Sequence, residues 1–176
     1  MWCYYNQADE VELFVNGKSQ GVKRKDLDNL HVAWRVKFEP GTVKVIARES
    51  GKVVAEKEIC TAGKPAEIRL TPDRSILTAD GKDLCFVTVE VLDEKGNLCP
   101  DADNLVNFTV QGNGFIAGVD NGNPVSMERF KDEKRKVFYG KCLVVIQNDG
   151  KPGKAKLTAT SEGLRQAVLK ISAEEL

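Results

Sequence analysis

His31, the only histidine, and the five cysteines Cys3, Cys60, Cys85, Cys99 and Cys142 are the residues from which nucleophilic or zinc chemistry must be built in this chain. A serine or cysteine nucleophile needs a base beside it. His31 lies between polar turn residues and the strand pattern that carries Trp34, the setting of an ordinary loop histidine. Structural zinc takes four nitrogen or sulfur ligands, usually in closely spaced pairs. No two cysteines stand at a Cys-x-x-Cys spacing, and one histidine cannot complete a set. No catalytic residue, no metal site and no cofactor is assigned on this reading.

Oxygen-bearing residues offer a second chemistry. Asp101, Asp103 and Asn104 follow Pro100, and Asp120, Asn121 and Asn123 lie in the Gly118–Pro124 loop, a ligand type that calcium favours. Asx residues and glycines are also what tight turns require, and turns are the favoured reading at both places. Asp9-Glu10 and Asp93-Glu94 read as turn residues for the same reason. The aromatic residues Trp2, Tyr4, Tyr5 and Trp34 could form a platform for a sugar. Trp34 shares an inward face with Val36 and Phe38, however, and core packing is the expectation for all four aromatics.

The elements that must position these residues are nearly all strands. Val11, Leu13 and Val15 alternate on one face of an extended segment, and Asn16-Gly17 supplies the positive φ of a two-residue hairpin. Trp34, Val36 and Phe38 alternate next, Pro40-Gly41 turns the chain, and Val43, Val45 and Ala47 form another stripe. Ser50-Gly51 marks a hairpin into a strand from Val53 to Thr61, which brings the first half to about five strands. A second pattern begins at Ala66, with Ile68 and Leu70, then an inward stripe of Cys85, Val87, Val89 and Val91. Asn107–Val110, Phe115–Val119, Lys141–Gln147, Lys154–Thr160 and Ala167–Ile171 complete about seven strands, the habit of a Greek-key sandwich. Ser126–Val137 is charged and irregular, readable as a mobile loop or one turn of helix.

The expected architecture is all-β, two tandem immunoglobulin-like β-sandwiches. A small one covers residues 1–62, residues 63–65 form a short hinge, and a larger one covers residues 66–176. Ala62-Gly63-Lys64-Pro65 marks the hinge because glycine and proline interrupt strand pairing. In such a sandwich Cys85 lies on the second strand and Cys142 on the fifth, neighbours within one sheet. The immunoglobulin bridge joins the second and sixth strands across two sheets. Free thiols that pack as small apolar groups are therefore expected.

Charge narrows the partners. Lysine plus arginine number 26 and aspartate plus glutamate number 26, so no net field draws the chain to nucleic acid or to an anionic membrane surface. No apolar run approaches the roughly 20 residues of a membrane span, and no basic-then-apolar leader opens the chain. A cytosolic protein, or one whose targeting signal lies upstream, fits both facts; a periplasmic or extracellular parent is the setting expected.

The wording of several segments carries a resemblance. Trp2-Cys3-Tyr4-Tyr5-Asn6, Asp9-Glu10-Val11-Glu12-Leu13-Phe14-Val15-Asn16-Gly17-Lys18-Ser19-Gln20-Gly21 and Gly41-Thr42-Val43-Lys44-Val45 resemble the C-terminal β-sandwich modules of glycoside hydrolase family 2 β-galactosidases. Ala66-Glu67-Ile68-Arg69-Leu70-Thr71-Pro72-Asp73, Asp80-Gly81-Lys82-Asp83-Leu84 and Gly118–Pro124 resemble the last, invasin-type immunoglobulin-like repeat of the same enzymes. The resemblance implies a parent glycosidase, a hydrolase of carbohydrate metabolism, whose nucleophile and acid/base glutamates sit in a catalytic barrel absent here. No residue of this chain inherits them. It also implies an accessory role: support of the barrel, oligomer contacts or the rim of the substrate cleft. An independent carbohydrate-binding module with a glycan contact is the alternative, and a cell-surface adhesion repeat the third.

Overall fold

The computed structural model describes residues 1–26 and 29–175, and among them every regular element is a strand. No helix among the described residues is long and apolar enough to cross a membrane. The chain divides into two compact units, Met1–Thr61 and a second beginning at Ala62.

In the first unit, β1 (Trp2–Tyr4) pairs antiparallel with β4 (His31–Ala33) as a two-stranded ribbon. The second sheet runs in the order β3 (Lys18–Lys23), β2 (Glu10–Val15), β5 (Thr42–Glu49) and β6 (Lys52–Cys60). Alternation along β2 buries Val11, Leu13 and Val15, and Val11 and Leu13 meet Val32, Trp34 and Ala47. Val43 and Val45 pack at the margin of that cluster. Two hairpins have two-residue turns with both φ positive, 50° and 76° at Asn16-Gly17 and 48° and 78° at Ser50-Gly51. That pattern is the primed turn whose twist matches paired strands. Asn16 also fixes the neighbouring connection, because its Oδ1 accepts from the Thr42 N–H at 2.8 Å and its Nδ2 donates to the Pro40 carbonyl at 3.2 Å.

The expected strand through Trp34, Val36 and Phe38 is displaced. The paired segment is His31–Ala33, inward alternation runs Val32, Trp34, Val36, and Phe38 is exposed in irregular chain. Among the described residues the first unit holds six strands, against about five read from sequence.

The second unit is a sandwich of two sheets. One runs β11 (Gly114–Asp120), β13 (Lys141–Asn148), β9 (Leu84–Leu92) and β7 (Glu67–Pro72). The other runs β12 (Lys134–Lys136), β10 (Leu105–Gly112), β14 (Gly153–Thr160), β15 (Ala167–Glu174) and β8 (Ile76–Thr78), with β8 parallel to β15. Sequence-adjacent strands repeatedly fall in different sheets, the Greek-key arrangement of immunoglobulin-like domains. Cys85, Val87, Val89 and Val91 from β9 and Val144 and Ile146 from β13 face Val106, Phe108, Leu157 and Ile171 in one continuous core. The two strands not read from sequence, β8 and β12, are three residues long and lie at the edges of one sheet.

Ser126–Val137 contains β12 and bends, not a turn of helix. Ala62 packs against the second unit's core, the Gly63 N–H donates to the Asp93 carboxylate at 2.7 Å, and the Ala66 N–H donates to the Leu92 carbonyl at 2.8 Å.

Candidate functional site

Many of the carboxylates hold turns and ladders. Asp9 accepts the backbone N–H of Ser50 and closes the second hairpin turn. Glu10 pairs with Arg24 at 2.8 Å. Glu12 accepts from Ser19 at 2.7 Å and pairs with Arg48 at 2.9 Å. Glu90, on β9, lies 2.6 Å from Arg69 and 2.9 Å from Lys141, the two strands flanking it. Burial pushes its carboxyl up, but Lys141 and Arg69 together hold it below the ordinary carboxylate range.

Asp93 is buried at the centre of a turn. Its carboxylate accepts the Gly63 N–H at 2.7 Å, the Asn97 side-chain amide at 3.0 Å, the Asn97 N–H at 2.8 Å and the Lys95 N–H at 2.9 Å. Those donors, the Gly63 amide first, hold it far below the usual carboxylate range against the opposing effect of burial. Glu12, Asp73 and Asp80 are likewise shifted down. Retaining glycoside hydrolysis needs two carboxyls about 5–5.5 Å apart in a pocket, one of them raised to act as an acid. Among the described residues the perturbed carboxyls move the other way, held down as turn and ladder acceptors.

The Gly118–Pro124 loop shows why its oxygens suit turns. Asp120 Oδ1 accepts from the Asn121 and Gly122 backbone N–H groups, and Asn121 Oδ1 from the Asn123 N–H. A cation already occupies the cluster: the guanidinium of Arg135, with 1 % of its side chain exposed, donates to Asp120 and to Asn121 at 3.2 Å each. It also donates to the Glu128 carbonyl at 3.1 Å and lies over the Phe130 ring. Arg135 therefore pins the whole 120–130 segment from its place on β12. In the other acidic turn, the Asn104 carbonyl accepts the Val137 N–H. Among the described residues, no three His, Cys, Asp or Glu side chains converge as a metal would require.

The aromatic residues separate into two sets. Trp34 is 5 % exposed and donates its indole N–H to the Gly21 carbonyl at 3.3 Å, and Tyr5 is half-buried against the same core. Trp2 and Tyr4 do not pack inward: they are 66 % and 65 % exposed. Alternation on β1 explains the correction, since Cys3 and Tyr5 take the core side and leave Trp2 and Tyr4 outside. On that outer face His31 stacks on Trp2 with ring centres 4.6 Å apart and planes 11° apart, and meets Tyr4 at 5.2 Å. The even spacing of Trp2 and Tyr4 against Cys3 and Tyr5 was the available signal. Nothing in the spacing of Asp93 or Arg135 marked them as buried hubs.

All five cysteines are free thiols. Cys85 and Cys142 occupy neighbouring strands of one sheet, as the strand count implied, and burial pushes them up to about 11 and about 12. Neither is a nucleophile at neutral pH.

The described residues form an all-β pair of units, the second an immunoglobulin-like sandwich, with many of its carboxylates engaged in turns and ion pairs. Residues 68–170 match the glycoside hydrolase family 2 C-terminal domain 5, and residues 1–55 match a domain of unknown function, DUF4982. The chain belongs to that glycoside hydrolase family 2 C-terminal family. It is 99 % identical over its full length to part of the β-galactosidase BoGH2A of Bacteroides ovatus, spanning 21 % of that protein. Among solved structures, a glycosyl hydrolase family 2 member from Bacteroides cellulosilyticus is 34 % identical with a TM-score of 0.89, over 96 % of this chain and 22 % of that one. A β-glycosidase from Bacteroides vulgatus is 31 % identical with a TM-score of 0.90, over 94 % of this chain and 21 % of that one. The chain thus spans about a fifth of the length of these proteins.

Proposed function

We propose that this chain is a non-catalytic accessory region of a family 2 β-galactosidase, which supports the catalytic barrel through packing, through oligomer contacts or at the rim of the substrate cleft. The observation that carries this reading is the state of its acidic residues. Among the described residues, the perturbed carboxyls are held down by side-chain hydrogen bonds, ion pairs or backbone N–H donors, the opposite of what an acid catalyst needs. The family membership and the 99 % identity to one part of a β-galactosidase supply the parent.

The reading is tested by removing the corresponding region from the full-length B. ovatus enzyme. Loss of thermal stability or of assembly is expected. A truncated enzyme with unchanged stability, assembly and turnover would contradict the proposal.

A second reading, an independent carbohydrate-binding module, is favoured by one observation, the exposed rings of Trp2 and Tyr4. In that case the same truncation leaves stability intact and removes only glycan binding.

A further inference from the structure

β6 is a long strand with one side open. It runs for 9 residues at the edge of its sheet, is exposed along its whole length, and among the described residues pairs with β5 alone. The ladder fixes which of its main-chain groups are free. The Asn16 N–H donates to the Thr42 carbonyl and the Thr61 N–H to the Gly41 carbonyl, at 2.8 Å each. Hydrogen bonding alternates residue by residue along an antiparallel pair. Thr42 therefore faces β2, Ala55, Lys57 and Ile59 bond to β5, and Glu56, Glu58 and Cys60 aim their N–H and C=O groups away from the sheet. The other sheet edges among the described residues are short or engaged. On β7 the Ile68 N–H donates to the Arg165 carbonyl at 3.1 Å, and on β11 the Val119 N–H donates to the Phe130 carbonyl at 2.7 Å. β8 and β12 have 3 residues each. On β3 the Gly21 N–H donates to the Ser19 hydroxyl and the Gly21 carbonyl accepts the Trp34 indole N–H.

We propose that β6 is a strand-pairing edge for a second copy of this chain, held shut by Glu56 and Glu58. A row of free N–H and C=O groups is a template for another strand, and proteins guard such edges with charge and with bulges. The second copy is the matching occupant because it brings the same open row, and β6 against β6 closes on itself about a two-fold axis. Exposed Val53, Val54 and Ile59 give the strand the residue types that favour pairing. The guard follows from the register. An antiparallel ladder between two identical strands is centred on one residue that faces itself. Centred on Glu56 or on Glu58, that glutamate meets its own copy. Centred on Lys57, Glu56 meets Glu58 and Lys57 meets itself. Like charges directly opposite one another are destabilising. Lys44 offsets only part of this, since one cation pairs with Glu56 at 2.9 Å and stands opposite Glu58 on β5. Sliding the ladder toward Lys52 meets the register shift at Ala47 and Arg48, which leaves Val54 over and interrupts the open row. Sliding it the other way leaves too little strand to pair.

Residue-resolved amide hydrogen exchange of the 176-residue chain across a concentration series tests this, under reducing conditions so that exposed Cys60 cannot link two copies. In the native chain the amides of Glu56, Glu58 and Cys60 are expected to exchange fast at every concentration, while those of Ala55, Lys57 and Ile59 stay protected. In a Glu56→Thr, Glu58→Thr variant, exchange at positions 56, 58 and 60 should slow by roughly tenfold or more as concentration rises, and the variant should sediment as a dimer. A Glu56→Lys, Glu58→Lys variant should stay unpaired alone, yet protect the same three amides when mixed with the native chain. Exchange at positions 56, 58 and 60 that stays fast in the folded threonine variant at every concentration overturns the proposal. Protection of the Glu56 and Glu58 amides in the native chain alone overturns it too, because the glutamates would then guard nothing. The mixture decides independently should the threonine variant lose its fold: fast exchange there at all three positions counts against the proposal.

Discussion

Cys85 and Cys142 stand on neighbouring strands of one sheet, Cys85 opposite Ile146 and Cys142 opposite Val89. Four strand positions, roughly 13 Å at about 3.4 Å per residue, separate them along the ladder. A disulfide bridges Cα atoms no more than about 7 Å apart. The core holds both as thiols, with burial opposing ionisation.

Alkylation under denaturing, non-reducing conditions should therefore give five labels. In the native chain Cys60, the exposed one, should react first, and Cys85, Cys99 and Cys142 last. A deficit of two labels mapped to Cys85 and Cys142 would contradict the sheet order.

Trp34→Ala empties the centre of a small core in which, among the described residues, Val11, Leu13, Val32 and Ala47 are the buried neighbours. Deletion of a buried aromatic costs on the order of 3–5 kcal/mol. The first unit should unfold while the second keeps its own melting transition. A melt of the first unit that is unaltered would place Trp34 outside the core.

Asp93 makes stability depend on pH with a defined sign. Its carboxyl is depressed in the folded chain, so it contributes stability above the ordinary carboxylate value near 4, and that contribution is lost as pH falls further toward the depressed value. Asp93→Asn should lower the melting temperature at neutral pH and flatten the acid limb below about pH 4. Parallel acid limbs for the two proteins would show that another group controls the transition.

Arg135→Met keeps most of the buried volume and removes the cation from Asp120, Asn121 and the Glu128 carbonyl. A loss of about 1–3 kcal/mol is expected, since charge-assisted hydrogen bonds from a buried cation are removed. Faster amide exchange should be confined to residues 120–130. Unchanged exchange there would mean that the loop holds itself.

Much of this fold was legible because its long strands obey a period of two. Cys85, Val87, Val89 and Val91 alternate with partly exposed residues, and that stripe alone defines the inner face of β9. Asn16-Gly17 and Ser50-Gly51 were legible because two consecutive positive φ angles narrow the choice of residue. Three-residue strands leave no period to read, and β4 was displaced and β8 and β12 were missed for that reason. The roles of Asp93 and Arg135 were hidden for a different one. A charged residue between polar neighbours reads as solvated surface, and burial of either side chain depends on partners up to 30 residues away, such as Gly63 with Asp93. Trp2 and Tyr4 were misplaced because an aromatic residue on a strand is ordinarily core, and here an edge ribbon turns two of them outward.

The central claim, that the chain performs no glycoside chemistry of its own, is tested most directly by the turnover of nitrophenyl β-galactoside by the purified 176-residue chain. No hydrolysis above the solvent rate is predicted. Turnover that a single acidic substitution in this chain, such as Glu90→Gln, abolishes would contradict the account.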